Sequence, residues 1–359
     1  LTSFDQNILH HWMTEFPDLC SHAYFGFGRA GQTHETFWHD GKTAPILSQD
    51  ISARDLQFDI ASLTKALVTT PLVLKHFEDR LQQPIADFIA DDRLGSVLPV
   101  AFIQNTSIAD LLKHTSGLPP WSNFWVNQIH VDGRSKLVSS GEQVEHIATV
   151  YRRLQESLFL GAADKYIYSD LGFLLLQRIL EITTKRSFDD LWQQFCQKNP
   201  AFCSINFAPG AQNCIPTADC KLRNTLVRGV VHDENAFALG GFCGHAGGFS
   251  SGPHLLSLLK QVASGMDGTH LLDFVLSDKE HLLGWQKSTS AASQAFGGGR
   301  AVGHLGFTGG CFWIEPESKS YFVLLTNRTY MKRLDSRMQQ LRQKAGSYSW
   351  NFLHVNECP

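Results

Sequence analysis

The residues that could do chemistry begin at Ser62-Leu63-Thr64-Lys65, where a hydroxyl and an amine are three positions apart. At the start of a helix the i and i+3 side chains share one face, so the amine can touch the hydroxyl. A serine oxygen is a weak nucleophile until a neighbouring base takes its proton, which a lysine can do if its pKa falls toward neutrality. Helix-terminal N–H groups beside Ser62 could hold a developing oxyanion. The pattern is not unique, because Ser257-Leu258-Leu259-Lys260 repeats it without supporting context.

Two later segments distinguish the first match. Tyr168-Ser169-Asp170 opens an apolar helix, in which Asp170 could also be an ordinary N-cap. Gly303-His304-Leu305-Gly306-Phe307-Thr308-Gly309-Gly310 begins in a strand whose glycines would let a ligand approach the backbone, or would simply form a bulge or turn. In this order the three segments resemble the S-x-x-K, Y-x-N and K-T-G or H-x-G elements of the β-lactamase-related serine hydrolases, a family of class C β-lactamases, DD-peptidases and esterases. Leu111–Pro119, Val231–Ala236 and Gly244–Gly248 match the same family, so the resemblance spans roughly residues 55–330.

The resemblance implies Ser62 as the acylated nucleophile, Lys65 as its base or proton relay, and Tyr168 as a second general acid/base. It implies His304 in the place of the K-T-G lysine, steering substrate near Tyr168, with Gly306 in the same strand. The N–H groups of Ser62 and Phe307 would form the oxyanion hole. Two departures matter. Asp170 replaces an asparagine, adding a negative charge beside Lys65 that raises the amine's pKa and opposes its use as a base. Leu305 removes a threonine hydroxyl, and His304 removes a fixed positive charge, so carboxylate recognition weakens at pH 7. Both turn the expectation from efficient β-lactam hydrolysis toward a peptidase or esterase.

The remaining candidates read as structural. His232, Asp233 and His245 lack the spacing of a zinc hydrolase and are expected to pack loops, with no metal or cofactor. Gly297-Gly298-Gly299 lacks the helix of a phosphate loop and reads as a flexible connection. Trp121 and Asn123 follow the Leu111–Pro119 match and are candidates for a cleft wall. Cys196, Cys203, Cys214 and Cys220 lie in one stretch, at gaps too long for paired zinc ligands, which leaves buried thiols or disulfides open.

The elements that position these residues follow from pattern. Two strands, 23–31 and 33–39, precede an apolar helix over 62–77 that Pro71 should kink. Helical signals dominate 82–229, as in 108–114, 141–160 and 171–184. Strand-like runs return at 283–287, 301–307, 311–314 and 321–326, and an amphipathic helix over 332–352 closes the chain. The expected fold is α/β (α+β): an antiparallel sheet from both chain ends (1–80 and 245–359), flanked by helices, with an all-α lobe (81–244) inserted.

Composition bounds the partners. The 359 residues carry 31 Lys+Arg against 34 Asp+Glu, a formal charge of −3, which leaves no cationic surplus for nucleic acid. No apolar run approaches the roughly 18 residues that cross a bilayer. The expected partner is a small-molecule or peptidoglycan-derived substrate: D-Ala-type fragments first, simple esters or amides second, β-lactams third. A silent binding module of the same fold is the alternative. The chain starts at Leu1 and shows no signal peptide, and a periplasmic or secreted location is expected ahead of a cytoplasmic one. Oligomeric state is not legible.

Overall fold

The computed structural model describes residues 3–29, 31–41, 52, 55–89, 92–121, 165–207, 209–221, 223–278, 280–288 and 295–354. The expected helix over 141–160 and Asn123 lie outside these residues. Strands are β1 (His22–Arg29), β2 (Gln32–His39), β3 (Gln57–Asp59), β4 (Asn206–Phe207), β5 (Ala218–Cys220), β6 (Thr225–Val227), β7 (Gly248–Ser251), β8 (Gln286–Lys287), β9 (Val302–Leu305), β10 (Cys311–Glu315) and β11 (Ser320–Thr326). The helices used below are α1 (Ile8–Glu15), α2 (Thr70–Phe77), α3 (Ile108–Lys113), α4 (Asp170–Thr184), α5 (Phe188–Lys198), α6 (Gly252–Ser264) and α7 (Arg337–His354).

The main sheet has the order β2-β1-β11-β10-β9-β8, every pair antiparallel. It joins the two chain ends, with Phe25 opposite Leu324 and His304 opposite Phe312. Both faces are covered, so β11 reads as an unbroken apolar run, Tyr321 to Leu325, rather than an alternation. On one face Tyr321, Val323, Leu325, Phe312 and Ile314 pack with α6 and the helical segments. On the other, Phe25, Phe27, Trp313, Phe322 and Leu324 pack with Trp12 of α1 and Leu341 of α7. The edge strand β2 keeps an exposed, mixed pattern.

Between the sheet-forming ends the described chain is mainly helical, and α3, α4 and α5 share the larger core. Short strands interrupt it: β5 pairs with β6, and β4 joins β3 and β7 in a small second sheet. The expected strand over 283–287 shrinks to two residues because Gly284 adopts φ +74°, where a Cβ would sit 2.0 Å from Thr70 Oγ1. The seven described cysteines are unpaired; Cys214 is buried and Cys203 exposed.

The helix is irregular just before Pro71. A π turn over Lys65–Thr69 precedes it, in which the Thr70 N–H donates to Lys65 O. The next donor in that register would be residue 71, which has none. Ala66 O instead accepts Trp285 Nε1 at 3.0 Å. A ring from a distant loop thus satisfies the carbonyl that the proline leaves open.

Candidate active site

The nucleophile turn is built on Asp59, which is buried at the end of β3. Its carboxylate accepts the Ala61 N–H at 2.8 Å and the His232 N–H at 2.7 Å, and Thr308 Oγ1 donates to its carbonyl at 2.8 Å. Asp59 therefore ties together the turn before Ser62, the 231–236 loop and the 306–310 turn. Burial pushes its carboxyl up to about 6, against the two N–H donors that favour the charge. Ala61 has φ +55°, and the Ser62 N–H donates to Ile60 O at 2.8 Å, which bends the chain sharply into the helix.

Lys65 is fully buried, and three acceptors surround its Nζ: Asp170 Oδ1 at 2.7 Å, His245 O at 2.9 Å and Ser62 Oγ at 3.0 Å. Burial alone would lower its pKa, but the charge of Asp170 and the contacts with Tyr168 outweigh it and raise the pKa. The sequence-based expectation for Asp170 is thus met in geometry: it is an ion-pair partner of Lys65. The Tyr168 ring lies beside this amine, its centroid 5.1 Å from Lys65 Nζ, and burial, opposed by the Lys65 charge, raises the pKa of its phenol and keeps it protonated.

Tyr168 is held from behind by His114, a residue of the Leu111–Pro119 match. His114 ends α3 in the left-handed conformation at φ +58°. Its carbonyl accepts the Ile167 N–H at 2.8 Å, and its Nδ1 accepts the Ser169 N–H at 3.0 Å. Its ring lies 4.6 Å, centroid to centroid, from that of Tyr168. Ser169 Oγ and the Asp170 N–H add bonds to Pro119 O and Pro120 O. The bland role of Asp170 as an N-cap is not what is seen; Ser169 occupies that position and Asp170 is the first residue of α4.

The 244–248 segment supports the helical stretch that follows Ser62. Thr69 Oγ1 donates to Gly244 O at 2.6 Å, and the Gly248 N–H donates to Thr64 Oγ1 at 3.2 Å. His245 Nε2 lies 2.9 Å from Asp233 Oδ1, whose carboxylate is driven far down by that histidine and the Ala236 N–H despite burial. One ligand atom each from Asp170, Asp233 and His245 falls within 4.8 Å of the others, the best metal-like grouping among the described residues. The Lys65 ammonium already bonds to Asp170 and to the backbone of His245 there, so the cluster has its cation.

A cleft of about 900 Å³ opens over Ser62, lined among others by Trp121, Tyr168, Asp170, Gly306 and Phe307. His304 is not among the lining residues. It is buried, its Nδ1 is 2.8 Å from Leu305 O, and its ring faces that of Tyr168 at 5.9 Å. Burial and the Lys65 charge lower its pKa to about 3, so it is neutral at pH 7 and is no substitute for a fixed cation. Ser257 and Lys260 lie in α6, away from this cleft, and Lys260 Nζ reaches Gly31 O instead.

Sequence reasoning missed Asp59, the work of His114 behind Tyr168, and Arg328 and Arg342 beside the 306–310 turn. The matches around His114 and Val231 were visible signals. The arginines had none, since each is an ordinary surface residue by pattern.

Comparison with known proteins bears on the family and the fold. A family model described as Beta-lactamase matches residues 23–346. A putative D-alanyl-D-alanine carboxypeptidase of Escherichia coli (strain K12) is 25% identical over 339 residues, covering 82% of this chain and 75% of the relative. Among solved structures, an octameric penicillin-binding protein homologue from Pyrococcus abyssi superposes with a TM-score of 0.70 at 14% identity, over 98% of this chain and 78% of that one. A class C beta lactamase from Rhodobacter sphaeroides gives 0.66 at 15% identity, over 97% of each chain. These two likenesses bear on the fold alone.

Proposed function

The chain belongs to the Beta-lactamase family of serine hydrolases, and on that premise we propose that it cleaves D-Ala-type peptidoglycan fragments, or small esters and amides, through an acyl-enzyme on Ser62. The observation that carries the reading is the Lys65 Nζ–Ser62 Oγ contact of 3.0 Å at the floor of the cleft, with the Tyr168 ring 5.1 Å from the same Nζ. The carboxypeptidase name of a relative covering most of this chain supports the peptide substrate. Such a substrate puts the work at the cell wall, so a periplasmic or secreted location is part of the proposal. No helix among the described residues is long and apolar enough to cross a membrane.

The resting charges set a specific proton path. Lys65 as an ammonium donates to Ser62 and cannot take its proton. In our reading Lys65 first passes a proton across 2.7 Å to Asp170, exchanging an ion pair for a neutral pair. The freed amine then accepts the Ser62 proton as Oγ bonds to the substrate carbonyl carbon. When the intermediate collapses, the leaving group takes the Tyr168 proton, Lys65 restores Tyr168, and Asp170 restores Lys65. Deacylation runs this path in reverse with water in place of the leaving group: Asp170 takes a proton from Lys65, Lys65 from Tyr168 and Tyr168 from the attacking water, and on collapse Lys65 returns a proton to Ser62 Oγ and Asp170 restores Lys65. Asp170 thereby becomes a working part of the site rather than a sign of lost activity.

The neutral, buried His304 and the leucine at 305 support the ranking of β-lactams last. The test is a side-by-side assay of D-Ala-D-Ala peptides, p-nitrophenyl esters and nitrocefin. Turnover should fall in that order and vanish in Ser62→Ala. Nitrocefin as the best substrate, or equal rates in Ser62→Ala, would contradict the reading.

A further inference from the structure

Every backbone carbonyl from Gly306 to Gly310 is held from behind. Arg342 Nη2 donates to Gly306 O at 2.8 Å and to Gly310 O at 2.9 Å, and its Nε donates to Gly309 O at 3.2 Å. The Arg328 side chain holds Phe307 O, and the Arg328 N–H donates to Thr308 O at 2.9 Å. Gly309 itself has φ +114°, and a Cβ there would meet Thr326 Oγ1 at 2.0 Å, so the turn has little freedom.

A trans peptide is planar, and its C=O and the following N–H point in opposite directions. Fixing Gly306 O on Arg342 therefore aims the Phe307 N–H away from that arginine. The same bond polarises the peptide, strengthening the N–H as a donor. The Phe307 N–H has no acceptor among the described residues, whereas the Ser62 N–H is already engaged with Ile60 O. Phe307 is thus the uncommitted donor of the expected oxyanion pair. Arg342 makes no ion pair among the described residues and sits beside a second cation, Arg328, an arrangement that a developing negative charge would relieve.

We propose that Arg342 is a positioning residue that orients and polarises the Phe307 N–H for the oxyanion of the acyl-transfer transition state. This rests on the reading of Ser62 as nucleophile and Phe307 as donor. It differs from substrate-carboxylate binding, because the guanidinium is spent on three carbonyls, and a neutral ester should feel it equally.

The experiment compares p-nitrophenyl acetate with its thiono analogue, whose sulfur is a poor acceptor in an oxyanion hole. In Arg342→Ala, kcat for the oxo ester should fall at least tenfold with KM unchanged within twofold, and the oxo/thiono preference should shrink by a similar factor. Added guanidinium should restore kcat and the preference together. Arg342→Lys, a point charge without the fork, should fall between, and it carries the same readout if the alanine variant does not fold. An unchanged oxo/thiono ratio in the variants of an active enzyme would overturn the proposal alone. A wild type that neither hydrolyses esters nor labels at Ser62 would overturn the Ser62 reading, and this inference with it.

Discussion

Asp170 and Lys65 form a 2.7 Å ion pair inside the site, and the same ammonium touches Ser62 Oγ at 3.0 Å. If Asp170 is the proton acceptor for Lys65, wild-type activity needs no net deprotonation of the amine, and kcat/KM should be nearly flat from pH 6 to 9. Asp170→Asn removes the acceptor. Its activity at pH 7 should fall about tenfold to a hundredfold and then climb with pH as the amine deprotonates to solvent. A pH–rate profile on one ester substrate checks this; a variant as active as wild type at pH 7, with the same profile, would refute the relay.

His114 gives a positioning test. Its Nδ1 takes the Ser169 N–H and its ring backs Tyr168. Removing the ring strands a buried donor and opens a cavity, so His114→Ala should lose about 2–4 kcal/mol of stability. The smaller His114→Asn can keep the acceptor but not the ring. It should fold and yet lose kcat, because Tyr168 is no longer held against Ser62 and Lys65. Denaturant melts paired with kinetics would separate the two effects.

Asp59 predicts a pH effect of the less common sign. Its folded carboxyl is raised to about 6, above the unfolded value, so the folded state binds the extra proton between roughly pH 4 and 6. Its contribution to stability is therefore greatest below pH 4 and is lost as pH rises through 6. Other carboxylates, such as Asp233, oppose this slope. The difference between wild type and Asp59→Asn isolates it: wild type should lose stability relative to the variant as pH rises from 4 to 6. A constant difference across that range would contradict the assignment.

Trp285 and Pro71 should be coupled. Trp285→Phe strands the Ala66 carbonyl and should cost about 1–3 kcal/mol. In a Pro71→Ala background residue 71 regains an N–H that can reach this carbonyl, so the same change should cost clearly less. A double-mutant cycle by chemical denaturation measures the coupling.

These cases show what a sequence can and cannot reveal here. The order Ser62, Tyr168, His304 was legible because each motif is a run of adjacent residues, and the strands at both ends were legible from unbroken apolar runs such as Tyr321–Leu325. The surroundings of Pro71 were not legible, because the side chain that takes the carbonyl left open by its missing N–H, that of Trp285, lies more than two hundred residues away. β3 and β7 were invisible at three and four residues, too short to show a period of two. α1 has Leu9, Trp12 and Met13 on one face but no side-chain cap at Asn7 to mark its start. Arg342 escaped notice because its partners are carbonyls, which every residue has.

The central claim is that Ser62 is the nucleophile, and covalent labelling tests it most directly. Intact-mass analysis with a fluorophosphonate probe should show one adduct on wild type, mapped by peptide sequencing to Ser62. The adduct should be absent in Ser62→Ala and retained in Ser257→Ala. Equal labelling of wild type and Ser62→Ala, or an adduct mapped to Ser257, would contradict the account.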